Sequence, residues 1–294
     1  MSRFRSSLRS SLGSIAVVAG LTLQEAVRRR LLWALVGLTV AIVALTAWGF
    51  TQLAESSPVN GPVEMLGLSQ VMIMLAFMFS FVLAMTAVFA GSPTIGPEIE
   101  SGLLLAVLAR PIRRAEVLLG RGLGLASVLV AYALVAGYLE IGAVAWATGY
   151  LPADPVLAPV YLAGETLVLL TLAVVFSTRI ASVAGGAVAV VGYGIAWMGG
   201  ILGGVGEAVH ADVLKNAGIV IRLILPSDVL WRGSMFALSP KKEILDAGGF
   251  SAEAFKISPF FSSSPPSLLS LGWCLVWVVG MLALGMLLLR RREL

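Results

Sequence analysis

Residues 65–91 read MLGLSQVMIMLAFMFSFVLAMTAVFAG, 27 positions without one ionisable side chain. A helix needs about 20 apolar residues to cross the hydrocarbon core of a bilayer, and this stretch exceeds that length. Residues 31–51, LLWALVGLTVAIVALTAWGFT, are equally free of charge. Lipid offers no partner to a free backbone N–H or C=O, so a lone spanning segment closes its hydrogen bonds within a helix. Working outward from these two runs, further spans are expected at 123–148, 157–176, 183–206 and 268–289. Composition agrees: 59% of the 294 residues are hydrophobic and only 12% charged, with a mean hydropathy of +0.97. A water-soluble domain of this length needs far more polar surface. The sequence predicts an all-α integral membrane protein with six transmembrane helices.

The third and fifth spans are rich in Gly and Ala, which lets helix backbones approach closely in lipid. Orientation follows from the arginines. The segment before span one, the 92–121 connection, the 179 loop and the C-terminal end together hold 14 of the 20 basic residues. The short loops on the opposite side carry only acids, Glu55, Glu64 and Asp154. The positive-inside rule then places both termini in the cytoplasm. The expected organisation is a cytoplasmic arm and interfacial leading helix over 1–30, then a six-helix transmembrane domain over 31–294. That domain includes a cytoplasmic loop at about 92–121 and an outer segment at about 207–266, in which VLKNAGIVIRLILPSDVLWRG is expected to form a helix on the outer leaflet, ended at Pro226, with Trp231 at the interface.

The N-terminal MSRFRSSLRSSLGSIAVVAG is basic and Ser-rich, as presequences are. Its apolar stretch is soon broken by Thr22, Gln24 and Glu25, so it reads as an interfacial helix whose arginines touch headgroups. The sole cysteine, Cys274, falls inside span six and forms no intrachain disulfide. None of the four lysines follows the glycine that a phosphate-binding loop requires. The single histidine, His210, lies near Glu207 and Asp212, a weak metal constellation that reads as solvated. Catalysis, a bound cofactor and a metal site are therefore not expected in this chain.

Two carboxylates fall inside spans, Glu140 and Glu165. A carboxylate at mid-membrane costs on the order of 3 kcal/mol on insertion scales. Both are candidates to line a substrate path. The bland reading places them near headgroup water or in hydrogen bonds between helices.

The stretch EIESGLLLAVLARPIRRAEVLLGR, residues 98–121, gathers seven charged side chains in a chain that is otherwise poor in them. Gly91, Pro93, Gly96 and Pro97 stop span two. Glu98 and Glu100 then suit the first turn of a short helix, whose positive dipole end favours acids. Its leucines supply a greasy face. Pro111 pushes Arg110 out of helical geometry and suits the first position of the helix that enters span three. The product is a charged rod lying flat on the membrane, able to grip anionic lipid or to dock a soluble partner.

This stretch resembles the cytoplasmic loop of type 2 ABC exporter permeases, which carry E-S-G, a leucine-rich turn, R-P with basic residues and L-x-G-[KR]. The matching positions are Glu100, Ser101, Gly102, Arg110, Pro111, Arg113, Arg114, Gly120 and Arg121. LTLQEAVRRRLLWALVGLTV is similar to that family's leading helix and first span, and NAGIVIRLILPSDVLWRGSMFAL to its outer segment. The likeness is greatest to the branch containing the permease for nitrous oxide reductase maturation. It implies a permease in the inner membrane of a prokaryote, paired with a second copy or a paralogue. It also implies a cytoplasmic ATPase dimer that binds ATP and Mg and drives the loop, with Glu98, Glu100, Arg110, Arg113 and Arg114 as its contacts. Membrane lipid and an extracytoplasmic protein are further expected partners, with no nucleic acid among them. Two other readings stay open: an ion-coupled carrier or channel working without an ATPase, and a scaffold for an extracytoplasmic maturation factor.

Overall fold

The computed structural model describes residues 2–28, 30–56, 61–96, 113–240, 260–262 and 264–291. Among the described residues the chain forms nine helices and no strand: α1 Ser2–Arg28, α2 Arg30–Ser56, α3 Pro62–Gly91, α4 Arg114–Thr148, α5 Leu157–Phe176, α6 Ser182–Ala208, α7 Asp212–Ile224, α8 Ser227–Leu238 and α9 Leu268–Arg290. Six of them, α2 to α6 and α9, are long and apolar enough to cross a membrane.

Local chemistry sets the ends of these helices. Pro62 opens α3 at a position where its missing N–H costs nothing, and Glu64 sits in the first turn against the positive dipole end. The helix α4 begins at Arg114, ahead of the span expected from residue 123 and close to Pro111, where the helix entering that span was expected to start. Arg113 is extended there (φ −76°, ψ 142°), and its N–H donates to Glu116 Oε2 at 3.2 Å, one arm of a capping box. Gly149 closes α4 with φ 71°, the left-handed conformation that glycine adopts without strain.

The spans are not equivalent. In α5, 72% of the spanning window is buried in protein, against 17% in α9 and 11% in α2. The helix α5 packs against α3, α4, α6, α8 and α9, whereas α2 leans mainly on α4. Lipid is as apolar as a leucine side chain, so helices in it are held by close fit rather than by exclusion of water. Fit is visible in two apolar clusters. One includes Val88, Ile95, Leu118, Leu169 and Leu289. The other includes Ile73, Val144, Leu162, Trp231 and Met235.

Close approach depends on glycine at two contacts. A Cβ on Gly120 of α4 would stand 2.6 Å from Val18 Cβ of α1, and one on Gly124 would stand 2.7 Å from Thr22 Cβ. On the other contact, a Cβ on Gly218 of α7 would stand 2.6 Å from Gly203 Cα of α6. The glycine-rich stretch of α6 thus receives α7 backbone against backbone.

The segment after α6 departs from expectation. The helix before Pro226 is present as α7, which stops at Ile224, but Trp231 is buried in protein rather than turned outward. It is 2% exposed, inside a second helix, α8, with its ring 5.6 Å from that of Phe77. Pro226 lacks an N–H and breaks the run, so the chain turns back into the bundle. There α8 packs on α5, with Gly233 against the Tyr161 ring and Leu230 against Gly164.

Candidate functional site

The two ends of the bundle carry different chemistry. One end gathers the close of α3, the start of α4, the α5–α6 turn and the close of α9. Arg121 Nη1 donates to Thr94 O at 2.6 Å, and Arg114 Nη1 to Leu289 O at 3.4 Å. Arg179 Nη2 donates to Leu288 O at 2.9 Å. Carbonyls at helix C-termini have no intrahelical partner, and a guanidinium satisfies them while opposing the negative dipole end. Ile95 is wholly buried here. A Cβ on Gly96 would rest 3.6 Å from Ser177 O and 3.8 Å from Ile180 O. The chain therefore leaves α3 wedged against the α5–α6 turn and re-enters at Arg113, which is exposed.

Of the residues expected to meet an ATPase, Glu98, Glu100, Ser101, Gly102, Arg110 and Pro111 lie outside the described residues. Arg113 and Arg114 are described and flank the root of that loop. The described residues on either side of that stretch are tied to α4, the α5–α6 turn and α9.

Glu140 and Glu165 do not meet: no hydrogen bond joins them among the described residues. Glu140 on α4 accepts from Thr46 Oγ1 of α2 at 2.6 Å. Glu165 on α5 is buried and accepts from Ser80 Oγ of α3 at 2.8 Å. Ser80 also lies 3.2 Å from the Tyr193 hydroxyl of α6. Each carboxylate is held by a hydroxyl from a neighbouring helix, in the manner of an interhelical pin. On α8, the Ser227 and Ser234 hydroxyls and the Trp231 indole N–H are buried without a partner among the described residues. Their spacing places all three on one face of that helix.

At the opposite end stands an ionic cluster that reading the sequence missed. Asp228, the second residue of α8, is buried. Its Oδ2 accepts from Arg222 Nε at 2.8 Å and from Arg232 Nε at 3.0 Å. Both arginines also donate to the Gly200 carbonyl of α6, Arg222 through Nη2 at 3.3 Å and Arg232 through Nη2. A Cβ on Gly200 would overlap the Asp228 carboxylate, so glycine is what lets the cluster close. Burial lowers the Arg222 pKa, and the neighbouring Asp228 works against that shift. The available signal was the Asp-x-x-x-Arg pair, one helical turn apart, just after Arg222 and Pro226 in an apolar run. Nearby, Trp273 and Trp277 of α9 donate their indole N–H groups to Leu223 O and Ile224 O, which cap the end of α7. His210 is exposed at the tip of the α6–α7 turn with φ 56°. Among the described residues, no group of three or more His, Cys, Asp or Glu side chains gathers.

Six long apolar helices, one of them largely buried among the others, define a multi-pass membrane protein. Residues 16–294 match the family described as ABC-2 family transporter protein, and the chain belongs to that family. It is therefore a transmembrane permease of the ABC transporter class. No curated protein matches the chain closely enough to serve as a relative.

Proposed function

We propose that this permease is the membrane half of an ATP-driven exporter whose 98–114 connection receives work from a separate cytoplasmic ATPase. The observation that carries this reading is the root of the connection. Thr94, Ile95 and Gly96 are fixed at one side by Arg121 and the α5–α6 turn, and Arg114 reaches the last turn of α9 at the other. A push on a loop rooted in this way is passed to α3, α4, α5 and α9 together rather than absorbed locally. In this reading the Arg114 end and both termini are cytoplasmic, and α1 lies at the inner headgroups. ATP and Mg bind the ATPase, and this chain holds neither.

The permease works as a pair, with a second copy or a paralogue, in the inner membrane of a prokaryote. Glu98 and Glu100 meet basic groups of the ATPase, while Arg110, Arg113 and Arg114 meet its acids or lipid phosphate. Ser101, Gly102 and Pro111 belong to the same coupling motif. Glu140 and Glu165 serve first as pins between helices. A path role for either requires the pin to open during transport, as does the alternative of an ion-coupled carrier. The likeness to the nitrous oxide reductase maturation branch supports a variant of the main reading, in which the stroke is delivered to an extracytoplasmic protein.

The test is reversal of charge at the loop, Glu98→Lys with Glu100→Lys, in the complex purified with its ATPase and reconstituted in vesicles. The expected result is reduced stimulated ATP hydrolysis with membrane insertion intact. Unchanged coupling discards the assigned role of these acids.

A further inference from the structure

Beside the Asp228 cluster lies a cavity of about 480 Å³, within the range of roughly 300–1,000 Å³ typical of small-molecule sites. Arg222 and Arg232 both line it, with side chains 27% and 23% exposed. Each guanidinium spends its Nε on Asp228 and its Nη2 on the Gly200 carbonyl. Among the described residues, the Nη1 group of each has no hydrogen-bond partner. Two guanidiniums face one buried carboxylate, which leaves an excess positive charge on the cavity wall. Glu207 also lines the cavity, and its charge is felt at Arg222, though less than that of Asp228, because Glu207 is exposed to water and salt.

The other walls are of two kinds. Ser264, Ser267 and Ser270 bring hydroxyls, and Ser267 caps the first turn of α9 by accepting from Ser270 N at 3.1 Å. The positive dipole end of a 23-residue helix therefore borders the cavity as well. Ile219, Leu223 and Leu269 form an apolar flank, and all three remain exposed beyond it. Trp273 stands at the same level, as tryptophan does at a headgroup boundary.

We propose that this cavity binds a phosphate-bearing amphiphile at headgroup level, with the anion on the free Nη1 groups of Arg222 and Arg232. Its apolar tail follows Ile219, Leu223 and Leu269 into the lipid. Phosphate suits the site because its several oxygens accept from two guanidinium forks and from hydroxyls at once. The site needs no nucleotide and no ATPase, so its failure leaves the exporter reading untouched.

The experiment uses the purified full chain in maltoside micelles, which contain no phosphate. Dioctanoyl phosphatidylglycerol, uncharged dioctanoylglycerol and inorganic phosphate are titrated separately, and the thermal unfolding midpoint is read. Phosphatidylglycerol is expected to raise the midpoint saturably, and dioctanoylglycerol is not. Arg232→Gln and the cavity-filling Ala208→Leu are each expected to weaken the response about tenfold or more. Ala208 lies on the cavity wall away from the ion pairs, so it keeps the test valid if Arg232→Gln fails to fold. An equal shift with inorganic phosphate alone supports the anion site and assigns it to a soluble phosphate. No shift in the wild type, an equal shift with dioctanoylglycerol, or an undiminished shift in Ala208→Leu overturns the proposal.

Discussion

Arginine is used in opposite ways at the two ends of this permease. At one end Arg114, Arg121 and Arg179 reach across to backbone carbonyls of other elements, at Leu289, Thr94 and Leu288. At the other end Arg222 and Arg232 share one buried carboxylate and one carbonyl, on Asp228 and Gly200. The first arrangement ties separate elements through neutral carbonyl acceptors. The second is a closed ionic knot, in which removing Asp228 strands two guanidiniums. A mechanical input belongs at the first kind of end, where contacts exchange cheaply. A fixed frame belongs at the second.

The largest effect is expected from stranding charge in the knot. Asp228→Ala leaves two part-buried guanidiniums without their counter-ion and is expected to cost on the order of 3 kcal/mol, read as a lower unfolding midpoint in detergent. If that variant unfolds no earlier than the wild type, the contrast between the two ends is lost. Next comes Gly200→Val, which places a side chain where the Asp228 carboxylate sits. It is expected to destabilise by about 1–3 kcal/mol through overpacking, and thiol cross-linking between α6 and α8 would report their separation.

Smaller effects are expected at the other end. Arg121→Ala removes the bond to Thr94 O and is expected to cost about 1 kcal/mol of stability, while lowering stimulated ATP hydrolysis disproportionately. A loss of stability with coupling intact would make Arg121 a structural tie only. Smallest of all is Glu165→Gln. The amide oxygen still accepts from Ser80, so less than about 1 kcal/mol is expected. Transport by this variant should keep the pH profile of the wild type. An altered profile would favour the ion-coupled reading.

The spans were legible because lipid imposes one demand, an unbroken apolar run closed on itself, and that demand is local in sequence. Residues 65–91 and 157–176 emerge as helices nearly where the apolar runs lie. The start of α4 was legible from Pro111 rather than from hydropathy, because Arg113 and Glu116 carry the helix past the apolar boundary through a polar contact. Trp231 was misplaced for a related reason. An amphipathic run containing tryptophan fits a membrane surface as well as it fits a bundle interior, and only the Phe77 ring opposite decides. The Asp228 knot was hidden most deeply, since it needs a carbonyl from α6, an arginine before Pro226 and another after it. No spacing within one helix encodes that meeting, although the Asp228–Arg232 pair was in view. The loop root follows the same logic: the resemblance pointed to residues 98–114, while the ties to Thr94 and Leu289 come from folding alone.

The central claim is that the Arg114 end faces the cytoplasm and carries the ATPase. The most direct measurement is labelling of Arg113→Cys, in a Cys274→Ser background, by a membrane-impermeant maleimide in sealed right-side-out vesicles. The account predicts no labelling until the vesicles are opened, and then slower labelling when the ATPase subunit is bound. Rapid labelling of the intact vesicles would place Arg113 outside and contradict it.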